Sequence, residues 1–208
     1  MRDTIVGVAT AAGDGGIAIV RLSGDQAEAL FTRVFHAAGH QPPYEDHRLL
    51  YGRITDESGA VVDEAMGVVM RAPHTYTRED VCEVHTHGGA AAAAATVRLF
   101  TALGARPAEP GEFTRRAFLN GRIDLSQAEA VMGVIGARSA AALRSEAALL
   151  AGGASRFVRA AQDRLLALAA GVEAHLDYPE EIGEAEAVGE LRQGLSALIA
   201  DLRAAVDE

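Results

Sequence analysis

The residue period changes just past the middle of the chain, and this change limits the possible folds more than any other feature. Up to about residue 112, short β-branched runs bounded by glycine or proline alternate with helical stretches; after it, nothing reads as strand. Residues 5–9 and 17–22 are predicted strands on that basis. Ser23-Gly24-Asp25-Gln26 has capping-box spacing and predicts a helix running to about Ala38, with Gly39 as its stop. Residues 40–47, with Pro42-Pro43, read as a loop. Residues 48–55 and 60–70 read as strands on either side of the turn Asp56-Glu57-Ser58-Gly59. Residues 81–86 form a further strand, and His87-Gly88-Gly89 opens an alanine-rich helix that runs to Leu103 and stops at Gly104.

The second region is read differently. A short helix spans 112–120, and Gly121 stops it. Asp124-Leu125-Ser126-Gln127 is a second capping box, and Leu125, Ala128, Val131, Met132 and Ile135 follow at spacings of three and four. That helical run lasts until Gly152-Gly153. Another helix covers 155–176 and ends near Asp177-Tyr178-Pro179; an acidic loop over 180–186 leads to a last helix reaching Val206. The reading is therefore an α+β domain with a mixed sheet over residues 1–118, then an all-α region over 119–208. Three helices with small residues on many faces make an incomplete bundle that calls for a partner.

Composition narrows the function classes. The 208 residues are 49% hydrophobic, enough for a core, yet no apolar run reaches the roughly 20 residues that span a bilayer. The short apolar stretch after Met1 has no cleavage region of the secretory kind. The single cysteine, Cys82, makes no intrachain disulfide, so the expectation is a reducing, cytoplasmic setting with no membrane. A net charge of −10 opposes free-standing nucleic-acid binding, because phosphate contacts need a basic surface. All 19 basic residues are arginine, which excludes a Schiff-base lysine or a P-loop lysine from these residues.

Four stretches in order resemble one family: DTIV at 3–6 leading to GGIAIVRLSG at 15–24, YTREDVCEVHTHGG at 76–89, PGEFTRRAFLNGRIDLSQAEA at 110–130, and DYPEE at 177–181. Together they are similar to the MnmE (TrmE) family of bacterial tRNA-modifying GTPases. The resemblance implies a tetrahydrofolate-binding N-terminal domain over 1–118, related in fold to aminomethyltransferase folate domains, which also dimerises. It implies that 119–208 is the first arm of a helical domain. In the family a GTPase domain is inserted into the helical domain, and GTP, magnesium and potassium belong there; the expectation is that this chain stops where that insertion begins. No Gly-x-x-x-x-Gly-Lys-Ser/Thr occurs, and the cluster Gly13-Asp14-Gly15-Gly16 is no P-loop because no lysine follows it. The family's reaction modifies the wobble uridine of certain tRNAs, with a formyl- or methylene-tetrahydrofolate as one-carbon donor and the flavoprotein MnmG as partner.

Carried over by motif, the cofactor-binding residues are Arg21, Glu83 and Arg122, the last standing where the family usually has lysine. The chemistry is consistent with this: a carboxylate accepts the adjacent amino and ring N–H donors of a pterin, and arginine offers a planar fork to carbonyls or carboxylates. No catalytic acid or base stands out. His85 and His87 share one strand face, but no third metal ligand is visible, so they read as hydrogen-bonded histidines. Cys82 points to the opposite face as a core thiol. Gly88-Gly89 suggests a close backbone approach at the helix start, to the cofactor. Arg115 and Arg116 read as an exposed helix face, with a tRNA patch as the competing idea. The alternative functions are a stand-alone folate-dependent one-carbon transferase and a non-catalytic interaction module.

Overall fold

The computed structural model describes residues 3–13, 15–177 and 184–207, divided into two compact units, 1–128 and 129–208. The first is an α+β unit, and the second is helical.

The first unit is built on a seven-stranded mixed sheet. Its strands are β1 (Ile5–Val8), β2 (Ile17–Ser23), β3 (Phe35–Ala37), β4 (Leu50–Thr55), β5 (Val61–Met70), β6 (Val81–His87) and β7 (Arg106–Pro107), in the order β3-β4-β5-β6-β2-β1-β7. All neighbours are antiparallel except the parallel pair β1 and β7. Helices α1 (Ala27–Val34) and α2 (Ala90–Ala102) supply Ala27, Leu30, Phe31, Val34, Ala93 and Phe100 to the core. The even-numbered residues of β2, Ala18, Val20 and Leu22, join them there with Cys82 and Val84 of β6. This is the period-two alternation of a sheet with one face packed on helices. Phe31, Phe35 and Tyr44 form an aromatic cluster with centroids 5.0–6.1 Å apart. Gly67 makes room for it, since a Cβ there would stand 2.7 Å from the Phe31 ring.

Several local readings change on folding. Ser23 does not cap α1: it ends β2, and its Oγ donates to Glu79 at 2.7 Å inside the fold. The backbone N–H of Gln26, at the start of α1, is instead accepted by Thr4 Oγ1 at 2.9 Å, from a residue remote in sequence. The helix expected to reach Ala38 ends at Val34, and the chain turns directly into β3, where Phe35 is fully buried and pairs with Ile54 of β4. β7 was not anticipated either. The Asp56 turn forms as expected: its carboxylate accepts from Ser58 and Ala60, and Gly59 takes φ +83°.

Helix α3 (Glu112–Leu119) stops at Gly121, which has φ +70°. The Asp124 capping box closes reciprocally: Gln127 N–H donates to Asp124 and Asp124 N–H to Gln127, both at 3.0 Å. The helix it starts, α4 (Leu125–Gly136), ends earlier than the sequence pattern suggests. A break at 137–139 separates it from α5 (Ala140–Leu150), which Ser139 caps by accepting from Ala142 N–H. In the second unit, Glu146 of α5 lies over Gly133 of α4. Then come α6 (Gly153–Asp177) and α7 (Glu184–Asp207). They pack where Gly194 admits Leu168 and where Arg164 pairs with Asp201. α7 starts within the expected acidic loop; residues 180–183 of that loop, and 178–181 of the DYPEE stretch, lie outside the described residues. No helix among the described residues is long and apolar enough to cross a membrane.

Candidate functional site

The sheet face away from α1 and α2 carries Arg21 of β2 and Glu83 and His85 of β6. Arg21, at the centre of β2, has Gly7 of β1 on one side and Glu83 of β6 on the other. Arg21 Nε donates to Glu83 Oε1 at 2.7 Å. Two residues along β6, His85 Nε2 lies 3.2 Å from the other oxygen, Glu83 Oε2. The side chains of Arg21, Glu83 and His85 are 25%, 13% and 21% exposed, so this charged group is neither sealed in the core nor free on the surface.

Two aromatic rings stand beside it. Gly7 leaves the space above β1 to Phe113 of α3, whose ring lies 3.3 Å from where a Gly7 Cβ would be. The Arg21 guanidinium carbon is 5.6 Å from the Phe113 ring centre and 5.5 Å from that of Tyr76, which sits in the loop between β5 and β6. Arg122, just past the Gly121 stop, places its guanidinium carbon 4.9 Å from the same Tyr76 ring. These are cation–π distances. The Tyr76 hydroxyl and Thr114 Oγ1 are 2.9 Å apart, which ties the loop to α3. All three expected residues thus converge, with Arg21 and Arg122 meeting on one tyrosine. Tyr76, Phe113 and His85 complete the group without having been singled out as its members. The available signal was the scarcity of aromatics, 5% of the chain, with Tyr76 in one of the two central motifs and Phe113 and Phe118 in the other.

A partly buried ionic network, centred on Glu112 and Arg116, holds the loop and α3 in place. Arg116 donates to Asp3 at 2.6 Å, to Glu79 at 3.1 Å and to Glu112 at 3.2 Å. Arg106 of β7 donates to Asp3 and Glu112, both at 2.6 Å. Arg106 beside Glu112 is the main reason the Glu112 carboxyl is lowered to about 2, assisted by the Glu109 N–H and by Arg116 against the opposing effect of burial. Asn120 Nδ2 adds a bond to the Thr77 carbonyl at 2.6 Å.

Comparison with known proteins identifies the framework. The family profile described as the N-terminus of the GTP-binding protein TrmE matches residues 4–122, and that of the MnmE helical domain matches 125–208. The tRNA modification GTPase MnmE of Syntrophotalea carbinolica is 48% identical over 207 residues, covering 99% of this chain and 45% of that protein. Those of Moorella thermoacetica and Chloroflexus aurantiacus are 47% and 46% identical, each covering 95% of this chain and 44% of the relative. The chain belongs to the MnmE family. It spans less than half the length of the curated relatives it matches, and the matched part comprises the family's N-terminal and helical segments.

Other positions in this MnmE framework are reassigned by the fold. Arg116 is neither an exposed helix residue nor part of a basic patch; it is 8% exposed and held by three carboxylates, whereas Arg115 does face solvent. Gly88 approaches the chain's own backbone closely: a Cβ there would fall 2.0 Å from the Gly15 carbonyl oxygen. Gly89 is the N-cap of α2, with open space around its Cβ direction. His87 pairs with Asp63 through Nδ1 at 2.7 Å, which raises its pKa, and it stays mostly exposed. Among the described residues no three His, Cys, Asp or Glu side chains gather as a metal site. Cys82 is fully buried, and burial pushes its thiol pKa up. A cleft of about 900 Å³ opens between α1, α2 and the β4–β5 turn, but none of Arg21, Glu83 or Arg122 lines it.

Proposed function

We propose that this chain binds a reduced folate, a formyl- or methylene-tetrahydrofolate, on the Arg21–Glu83 face of its sheet. The carrying observation is the cross-strand Arg21–Glu83 pair, which leaves binding capacity unused. A carboxylate has about four acceptor sites. Glu83 engages two partners, Arg21 and His85, so two sites remain for the adjacent N–H donors of a pterin ring. Arg21 donates through Nε alone, and among the described residues its terminal nitrogens have no hydrogen-bond acceptor. Tyr76 and Phe113 line the group with aromatic surface, and Arg122 adds a second fork for the carbonyls or carboxylates of the ligand. The donor set therefore fits the cofactor that the family implies. When bound, the folate supplies the one-carbon unit; the chain's residues orient it and neutralise its charge.

In this reading the chain is the folate-binding and dimer-forming part of a machine that modifies the tRNA wobble uridine together with MnmG. GTP, magnesium and potassium act in a GTPase domain of the longer family members. Calorimetric titration with 5-formyl-tetrahydrofolate is expected to give saturable binding, and Glu83→Ala to weaken it by about 1–3 kcal/mol, the scale of a charge-assisted hydrogen bond. Unchanged affinity in that variant removes Glu83 from the site. Sedimentation at tens of micromolar is expected to give a mass near twice the 21.7 kDa of the chain; a monomer there refutes the homodimer.

A further inference from the structure

We propose that His85 is a positioning residue of the folate site, fixing the plane of the Glu83 carboxylate so that its free acceptor sites face the ligand. This rests on the folate reading above. The terminal torsion of a glutamate is broad and roughly two-fold, so a carboxylate held at one oxygen retains freedom to rotate. Here each oxygen has its own donor, Arg21 Nε on Oε1 at 2.7 Å and His85 Nε2 on Oε2 at 3.2 Å. Donors held on both oxygens, together with Cδ, fix the carboxylate plane. Strand periodicity places both donors correctly: His85 is two residues from Glu83 on β6, and Arg21 faces Glu83 across the β2 pairing.

The surroundings of His85 leave its ring this task alone. Its register neighbours are Ile19 of β2 and Met66 of β5, both apolar, and Glu83 is the one side-chain partner its ring has among the described residues. Glu83 as acceptor selects the tautomer with hydrogen on Nε2. A histidine serving only to neutralise a structural carboxylate would be redundant beside an arginine already at 2.7 Å. What histidine adds is a second anchor point in a partly accessible group, 3.2 Å from the oxygen that arginine does not hold.

The test separates the donor from the ring's bulk. Calorimetry with 5-formyl-tetrahydrofolate is run on the 208-residue chain and its H85L, H85Q and E83A variants, with melting curves verifying that each is folded. His85→Leu keeps volume without a donor and is expected to weaken binding about tenfold, the lower range for a bond to a charged group. His85→Gln, whose amide nitrogen can take the place of Nε2, is expected to restore affinity to within about threefold of the parent. Parent-like binding in H85L, or binding in H85Q as weak as in H85L, overturns the role of His85 even when E83A loses affinity. Absence of saturable binding in the parent chain overturns the folate reading itself, and this inference with it.

Discussion

Replacing Glu112 with glutamine tests whether the ionic network beneath α3 is what keeps one wall of the site in place. Glu112 is 2% exposed and accepts from Arg106 at 2.6 and 3.1 Å, from Arg116 at 3.2 Å and from the Glu109 N–H at 2.8 Å. Its carboxyl, lowered from 4.5 to about 2, prefers the ionised form in the fold by about 3 kcal/mol. Glutamine preserves the shape but removes the charge and turns an N–H₂ group toward two guanidiniums. The expected loss for E112Q is therefore about 3 kcal/mol at pH 7, within the range for disrupting a buried ion pair. The pH dependence follows from the direction of the shift. The folded-state value lies below the unfolded one, so the stabilisation is complete above about pH 4.5 and fades as pH falls toward 2. The gap between parent and variant should narrow across that window. Urea unfolding followed by tyrosine fluorescence measures it, in a Tyr178→Phe background where the remaining Tyr44, Tyr51 and Tyr76 all report on the first unit. Because α3 carries Phe113 and Thr114, folate affinity should fall along with stability. A loss below about 1 kcal/mol at pH 7, or a gap that persists unchanged at pH 2.5, would refute the network as the anchor of α3.

Gly88→Ala should cost about 1–3 kcal/mol or more in thermal unfolding, because its Cβ would meet the Gly15 backbone at 2.0 Å and backbone cannot rotate away; a melting temperature unchanged by the substitution contradicts that contact. Cys82 should resist a thiol reagent such as dithionitrobenzoate in the native chain and react fully in denaturant, since it is buried and its thiol pKa is pushed up; prompt native labelling contradicts its place in the core. A fluorescent GTP analogue with magnesium should show no specific binding at up to about millimolar concentration, because these residues hold no lysine and no P-loop; a micromolar dissociation constant refutes that reading.

The sequence by itself determined the features that depend on local rules. The alternation in β2 and β6, the glycine stops at 104 and 121, the Asp56 turn and the Asp124 capping box each rest on residues a few positions apart. The motifs likewise named Arg21, Glu83 and Arg122. The Ser139 cap that separates α4 from α5 was legible on the same terms and was overlooked within an alanine-rich run. Tertiary structure decided whatever depends on distant partners. Phe35, His36 and Ala37 continue a helical pattern, and only pairing with β4 makes them a strand. β7 exists because β1, about a hundred residues earlier, offers it a parallel edge. Ser23 is drawn away from capping by Thr77 and Glu79, and Arg116 is buried by carboxylates that lie up to 113 residues away in the chain. At the site, the sequence named the charged residues without their geometry. Cross-strand register brought Arg21 to Glu83, and docking of the loop and α3 set Tyr76 within cation–π distance of two arginines. Propensity, capping and turn chemistry act over one or two turns of chain, whereas burial of a charge or formation of an unpredicted strand is decided by partners that only the completed fold brings within reach.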